Sequence, residues 1–98
     1  MIKTYYHATS FENLDSIFEK GIQTGCDDVV YLCEKPDEAA RFVAIRGYKK
    51  ILVVGVNLKE DMVEESFDHS QAFFKCRAYM YPENISVDEF DKAMTYEL

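Results

Sequence analysis

The stretch Ile2-Lys3-Thr4-Tyr5-Tyr6-His7-Ala8-Thr9-Ser10-Phe11-Glu12 decides the fold, because the side-chain period changes within it. From Ile2 to His7, the residues Ile2, Thr4 and Tyr6 alternate with Lys3, Tyr5 and His7, the period of two expected of a strand whose faces meet different neighbours. Thr9-Ser10-Phe11-Glu12 then has the form of a capping box, in which the Thr hydroxyl and the Glu carboxylate satisfy amides of a first helical turn. Phe11, Leu14, Ile17 and Phe18 share one face of the helix that follows, and Lys20-Gly21-Ile22 ends it with a left-handed glycine stop. One helix-length segment therefore runs from Thr9 to Gly21, and His7 stands at the end of the strand that feeds it.

Working outward, Gln23 to Asp28 is polar, contains Gly25 and reads as a loop. Val29 to Cys33 is a short apolar strand carrying one phenol, Tyr31. Pro36 suits the first turn of a second helix, Pro36 to Ala44, with Asp37 and Glu38 near its positive end and Ala39, Phe42 and Val43 toward the core. Ile51 to Leu58 is nearly continuous apolar sequence rich in β-branched residues, and is expected to be the most buried strand. The acidic run from Glu60 to Asp68 reads as a loop or short helix, and Ala72 to Tyr81 as a strand that stops at Pro82. Ile85, Val87 and Phe90 would close a last strand or turn, with the final residues helical or frayed. The class is α+β.

Composition bounds the function. A chain of 98 residues makes one domain, 1–98, and 48% hydrophobic content with seven Tyr and seven Phe argues for a packed core. No apolar run approaches the roughly 18 to 20 residues that span a bilayer, and no secretory leader is visible, so the expected location is the cytoplasm without membrane attachment. Cys26, Cys33 and Cys76 form an odd set without metal-ligand spacing, and read as reduced structural thiols. A formal charge of −7 argues against nonspecific nucleic-acid binding, which depends on Lys and Arg displacing counterions. Arg41, Arg46, Lys49 and Lys50 cluster in sequence, either as a solvated helix end and turn or as a local phosphate-binding patch.

The order of these motifs resembles the ADP-ribosyltransferase fold: Tyr6-His7-Ala8-Thr9, a helix ending Lys20-Gly21-Ile22, Val30-Tyr31-Leu32, a helix with Ala39 and Phe42, an apolar strand, and a late strand running into Pro82-Glu83-Asn84-Ile85. The branch it is similar to is the His-Tyr-Glu one, which includes poly(ADP-ribose) polymerase and diphtheria-toxin type domains. That resemblance implies a small split β-sheet with two main helices and NAD bound as substrate. It implies that His7 hydrogen-bonds the adenosine-side ribose, that Thr9 assists, and that Tyr31 stacks on the nicotinamide ring. These residue types suit the roles, since imidazole offers a donor and an acceptor to a diol and a phenol ring offers an apolar face to a flat cation.

The resemblance is incomplete at its third residue. Where active relatives carry a glutamate that stabilises the oxocarbenium-like transition state, His69 to Ala78 contains no acid. Three readings stay open: Gln71 as a neutral substitute, Glu64 or Glu65 reaching in from the preceding segment, or a site without catalysis. The implied activity is cleavage of the nicotinamide glycosidic bond and transfer of ADP-ribose to a protein, nucleic acid or small-molecule acceptor. The alternatives are a catalytically degenerate module for protein interaction or ligand sensing, marked by a closed or filled pocket at His7 and Tyr31 with Tyr5, Tyr48, Tyr79, Tyr81 and Tyr96 forming an exposed patch instead, and an RNA 2′-phosphotransferase-like enzyme using Arg41, Arg46 and Arg77.

Overall fold

The computed structural model describes residues 1–24, 29–66 and 78–97. Among these residues, six antiparallel strands form the sheet: β1 (Ile2–Ser10), β2 (Val30–Cys33), β3 (Lys50–Lys59), β4 (Glu64–Ser66), β5 (Ala78–Tyr81) and β6 (Phe90–Glu97). Their order across the sheet is β4-β5-β2-β1-β3-β6. Helices α1 (Leu14–Lys20) and α2 (Pro36–Ala44) complete an α+β domain.

β3, between β1 and β6, is the most buried strand because almost every side chain along it is apolar. Ile51 to Val54, Val56 and Leu58 are at most 2% exposed, buried on both faces of the sheet, and each such side chain contributes about 1.5 to 3 kcal/mol on leaving water. Alternation sorts them. Leu52, Val54, Val56 and Leu58 join Tyr5, Ile17, Ile22, Val30, Leu32 and Ile85 in one core, while Ile51 and Val53 join Cys33, Ala39, Ala40 and Val43 in the other. The first core is packed under α1 and the second under α2.

The register with β3 extends this sorting to β1. Tyr5, His7 and Thr9 stand opposite Val56, Val54 and Leu52, so they share the α1 face. Tyr6 and Ala8 lie opposite Gly55 and Val53 and pack on the α2 side.

β1 and β2 meet at a single register pair, Tyr6 opposite Cys33. By contrast, β1 pairs with β3 along its whole length, from Ile2 opposite Lys59 to Ser10 opposite Ile51. The sheet is thus two three-stranded halves, β4-β5-β2 and β1-β3-β6, joined at one point. His7 to Ser10 and Val30 to Leu32 run on beyond that pair without a register pairing between them.

Several expectations are corrected. The segment from Thr9 to Gly21 is not one helix: β1 continues through Ser10, Phe11–Asn13 forms a 3-10 turn, and α1 begins at Leu14. Full pairing with β3 holds Thr9 and Ser10 extended. The cap is therefore Ser10, whose hydroxyl accepts from the Glu12 amide at 3.4 Å, while the Thr9 hydroxyl accepts from Asn13 Nδ2 at 2.8 Å. Glu60–Met62 is a short 3-10 turn, but Glu64–Ser66 is a strand, because it finds β5 as a partner. The chain end is likewise strand β6, neither helical nor frayed, paired along β3 from Lys50 opposite Glu97 to Val56 opposite Phe90.

Gly21 does stop α1, with φ 79 and ψ −174, outside the left-handed helical region expected. The conformation turns the chain so that Ile22 pairs with Ile85, with backbone hydrogen bonds of 2.8 Å in both directions. A Cβ at Gly21 would collide with the Ile85 carbonyl oxygen, so glycine is required by space as well as by φ. Phe18, expected to face the core, is 42% exposed but meets the Phe90 ring edge-on at 5.5 Å. Cys33 is buried, while Cys26 and Cys76 lie outside the described residues.

Candidate functional site at the split in the sheet

His7 is the first residue of β1 beyond the Tyr6–Cys33 pair, and its ring crosses toward β2. Nδ1 lies 2.9 Å from the Tyr31 carbonyl oxygen. A carbonyl only accepts, so Nδ1 carries the proton and donates it, and neutral His7 keeps Nε2 as an acceptor. Part of the residue remains accessible, yet its ring lies deep. Burial, the larger influence, pushes the pKa below 6.5, and the hydrogen bond to the Tyr31 carbonyl opposes this. The imidazole is therefore neutral at pH 7 and fixed in one tautomer.

Tyr31 meets His7 through its backbone. Along β2, Val30 and Leu32 face the α1-side core and Cys33 the α2-side core, so alternation sends the Tyr31 side chain to the face opposite His7. The two residues are adjacent, but their side chains leave the sheet in opposite directions.

Thr9 lies on the His7 face, two residues further along β1. Its bond from Asn13 is a contact between residues four apart, across the 3-10 turn.

Glu65 is half-buried on the edge strand β4, opposite Tyr79, which is itself opposite Leu32. This row lies on the His7 face, so Glu65 shares it, whereas Glu64 shares a row with Tyr31 and Met80 on the other. Among the described residues of β4, β5 and β2, Glu65 supplies the carboxylate on the His7 face. Three strand spacings separate β4 from β1, about 14 Å. Gln71 and Arg77 lie outside the described residues.

Of the other candidates, Arg41 lies 3.7 Å from Asp37, one turn earlier in α2, and Arg46, Lys49 and Lys50 are exposed around the α2–β3 turn. Lys50 sits 4.0 Å above the Phe11 ring and 3.9 Å from Glu97. The expected tyrosine patch does not form as a unit: Tyr5 is 3% exposed and meets the Tyr79 ring edge-on at 5.4 Å. A shallow depression of about 400 Å³ lies between the end of α1 and residues 84–87, lined by Lys20, Gln23, Asn84 and Ser86 among others, and includes none of the site residues. Among the described residues no three His, Cys, Asp or Glu side chains are grouped to hold a metal ion. No helix among them is long and apolar enough to cross a membrane.

No protein-family model matches the chain, and no curated protein sequence matches it either.

Proposed function

We propose that the protein binds NAD or an ADP-ribose-like ligand at the split between its half-sheets, in the manner of an ADP-ribosyltransferase. The observation that carries this reading is the His7 imidazole, held by the Tyr31 carbonyl where β1 meets β2, with Nε2 as an acceptor. A ribose hydroxyl is a natural donor to it. The divided sheet and two helices agree with the architecture that the resemblance implies.

If the site is catalytic, Glu65 is the residue of choice, since it lies on the His7 face of the opposite half-sheet. The distance between β1 and β4 suits contacts to the two ends of an extended dinucleotide. The reaction breaks the C1′–N bond of the nicotinamide ribose, and nicotinamide leaves with the bonding electrons. A carboxylate stabilises the positive charge that develops on the sugar, an acceptor hydroxyl, amine or carboxylate forms the new bond to C1′, and any proton it carries goes to solvent. The second reading, a sensor that binds without catalysis, is favoured by the lack of an acid in 69–78 and by the half-burial of Glu65.

Calorimetric titration of NAD tests binding, with His7→Ala and Tyr31→Ala as variants. Tyr31→Ala retains the carbonyl that holds His7, so a loss there reports the ring alone. Nicotinamide release is then measured in Glu65→Gln and Gln71→Ala. Binding with release abolished by one of these supports the transferase, and binding without release supports the sensor. No binding at millimolar NAD eliminates both.

A further inference from the structure

We propose that the outer edge of β6 is a self-association surface, along which a second copy of this chain pairs antiparallel about a two-fold axis at Thr95. The inference is independent of the nucleotide-binding reading. The strands at the two margins of the sheet are β4 and β6. An edge strand carries a row of backbone N–H and C=O groups that no neighbouring strand takes up, and such edges are commonly blunted by shortness, charge or proline. β4 is blunted, with three residues of which two are Glu64 and Glu65. β6 runs for eight residues without proline, pairs with β3 alone among the described residues, and leaves Ala93, Thr95 and Glu97 exposed.

Charge changes sign along this edge. Asp88, Glu89 and Asp91 are exposed at the start of β6. At its far end Glu97 lies opposite Lys50, 3.9 Å away, and Arg46 and Lys49 are exposed just beyond, in the α2–β3 turn. An antiparallel pair sets the acidic start of each copy beside the basic turn of the other, whereas a parallel pair sets like beside like. On a chain whose net charge of −7 otherwise repels its own kind, this local complementarity makes a second copy the occupant that fits.

Side chains then choose the register. A two-fold axis perpendicular to the sheet makes facing residues share a face, so the axis passes through a residue. Regular pairing with β3 is interrupted between Lys92 and Phe90, which leaves Asp91 as the extra residue of a bulge and limits pairing to the strand beyond it. An axis at Lys92 brings two ammonium groups together, one at Ala93 brings Glu97 to the other copy's Glu89, and one at Met94 brings Asp91 to the other copy's Glu97. An axis at Thr95 sets no like charges opposite each other. It pairs Met94 with the other copy's Tyr96, on the face where both residues pack against the α2-side core and Tyr96 Oη lies 4.0 Å from Met94 Sδ. The apolar row continues from one copy to the next, with thioether against phenol ring.

Sedimentation equilibrium between about 10 μM and 1 mM tests the pairing, a range suited to a contact smaller than the standard stable interface. The full chain is compared with Thr95→Lys, Asp91→Lys, Lys49→Glu and the double variant Asp91→Lys/Lys49→Glu, each checked by circular dichroism. All three positions are exposed, so the fold tolerates the changes. Expected is a concentration-dependent dimer that Thr95→Lys abolishes by placing two lysines on the axis. Either charge reversal weakens it about tenfold, since each attraction occurs twice per dimer, and the double variant recovers it. Asp91→Lys lowers the net negative charge, so general repulsion alone would strengthen its dimer, and weakening there is specific to the antiparallel arrangement. A dimer that survives Thr95→Lys, or that Asp91→Lys strengthens, overturns this pairing. A chain monomeric up to about 1 mM overturns self-association outright and leaves the edge to a strand of another protein.

Discussion

The His7 Nδ1–H reaches 2.9 Å across the split to the Tyr31 carbonyl oxygen, one residue beyond the single pair that joins β1 to β2. The imidazole therefore does structural work at the point where the backbone ladder lapses. Removing it removes this hydrogen bond, and a typical intramolecular hydrogen bond contributes about 0.5 to 1.5 kcal/mol net. His7→Ala is expected to lose that much in urea unfolding, in addition to any loss of ligand binding. Tyr31→Ala, which keeps the carbonyl, is expected to preserve this bond.

The same ring makes stability depend on pH. Its folded pKa lies below the 6.5 of the unfolded chain, so on acidification the unfolded state takes up a proton first. The contribution of His7 is complete above pH 6.5 and declines as pH falls from 6.5 through the folded pKa. Subtracting the stability of His7→Gln from that of the unaltered chain across pH 4 to 8 isolates the effect from the many carboxylates. A difference that is flat below pH 6.5 would falsify burial of a neutral imidazole.

Gly21 and Gly47 both have positive φ, 79 and 95, but only Gly21 faces another backbone. Gly47→Ala meets no atom within 4 Å and is expected to cost about 1 to 2 kcal/mol through φ alone. Gly21→Ala must also push the Ile85 carbonyl aside, breaking the Ile22–Ile85 bridge. Its unfolding midpoint is expected to fall well below that of Gly47→Ala, and equal midpoints would refute the close approach.

Leu52 is 1% exposed and stands opposite Thr9 on the α1 face. Leu52→Ala leaves a cavity there and is expected to cost about 2 to 5 kcal/mol. Ile45→Ala, at a residue 64% exposed just past α2, is expected to stay within about 0.5 kcal/mol of the unaltered chain. Chemical denaturation of the two variants side by side measures the contrast.

Burial and period were legible wherever side chains alone decide them. Ile51 to Leu58 announces a strand buried on both faces, and Pro36 to Ala44 matches its helix at both ends. The two strands read wrongly, Glu64–Ser66 and Phe90–Glu97, are edge strands with mixed polar sequence. Their conformation comes from hydrogen bonds to β5 and β3, partners distant in sequence. Thr9-Ser10-Phe11-Glu12 misled for the same reason: local capping chemistry favoured a helix from Thr9, and pairing with β3 kept Thr9 and Ser10 in the strand.

The sequence by itself determined an α+β chain with a strongly apolar, most buried strand, two short helices, and a histidine near the end of its first strand. These follow from local periodicity, which each segment carries alone. Only the tertiary structure decided that β1 and β2 share a single register pair, that His7 bonds the backbone of Tyr31 while Tyr31's side chain leaves by the opposite face, and that Glu65 shares the His7 face from three strands away. Those are matters of register. A shift of one residue in pairing exchanges the faces of a strand, and which shift occurs is settled by packing all six strands against two cores at once.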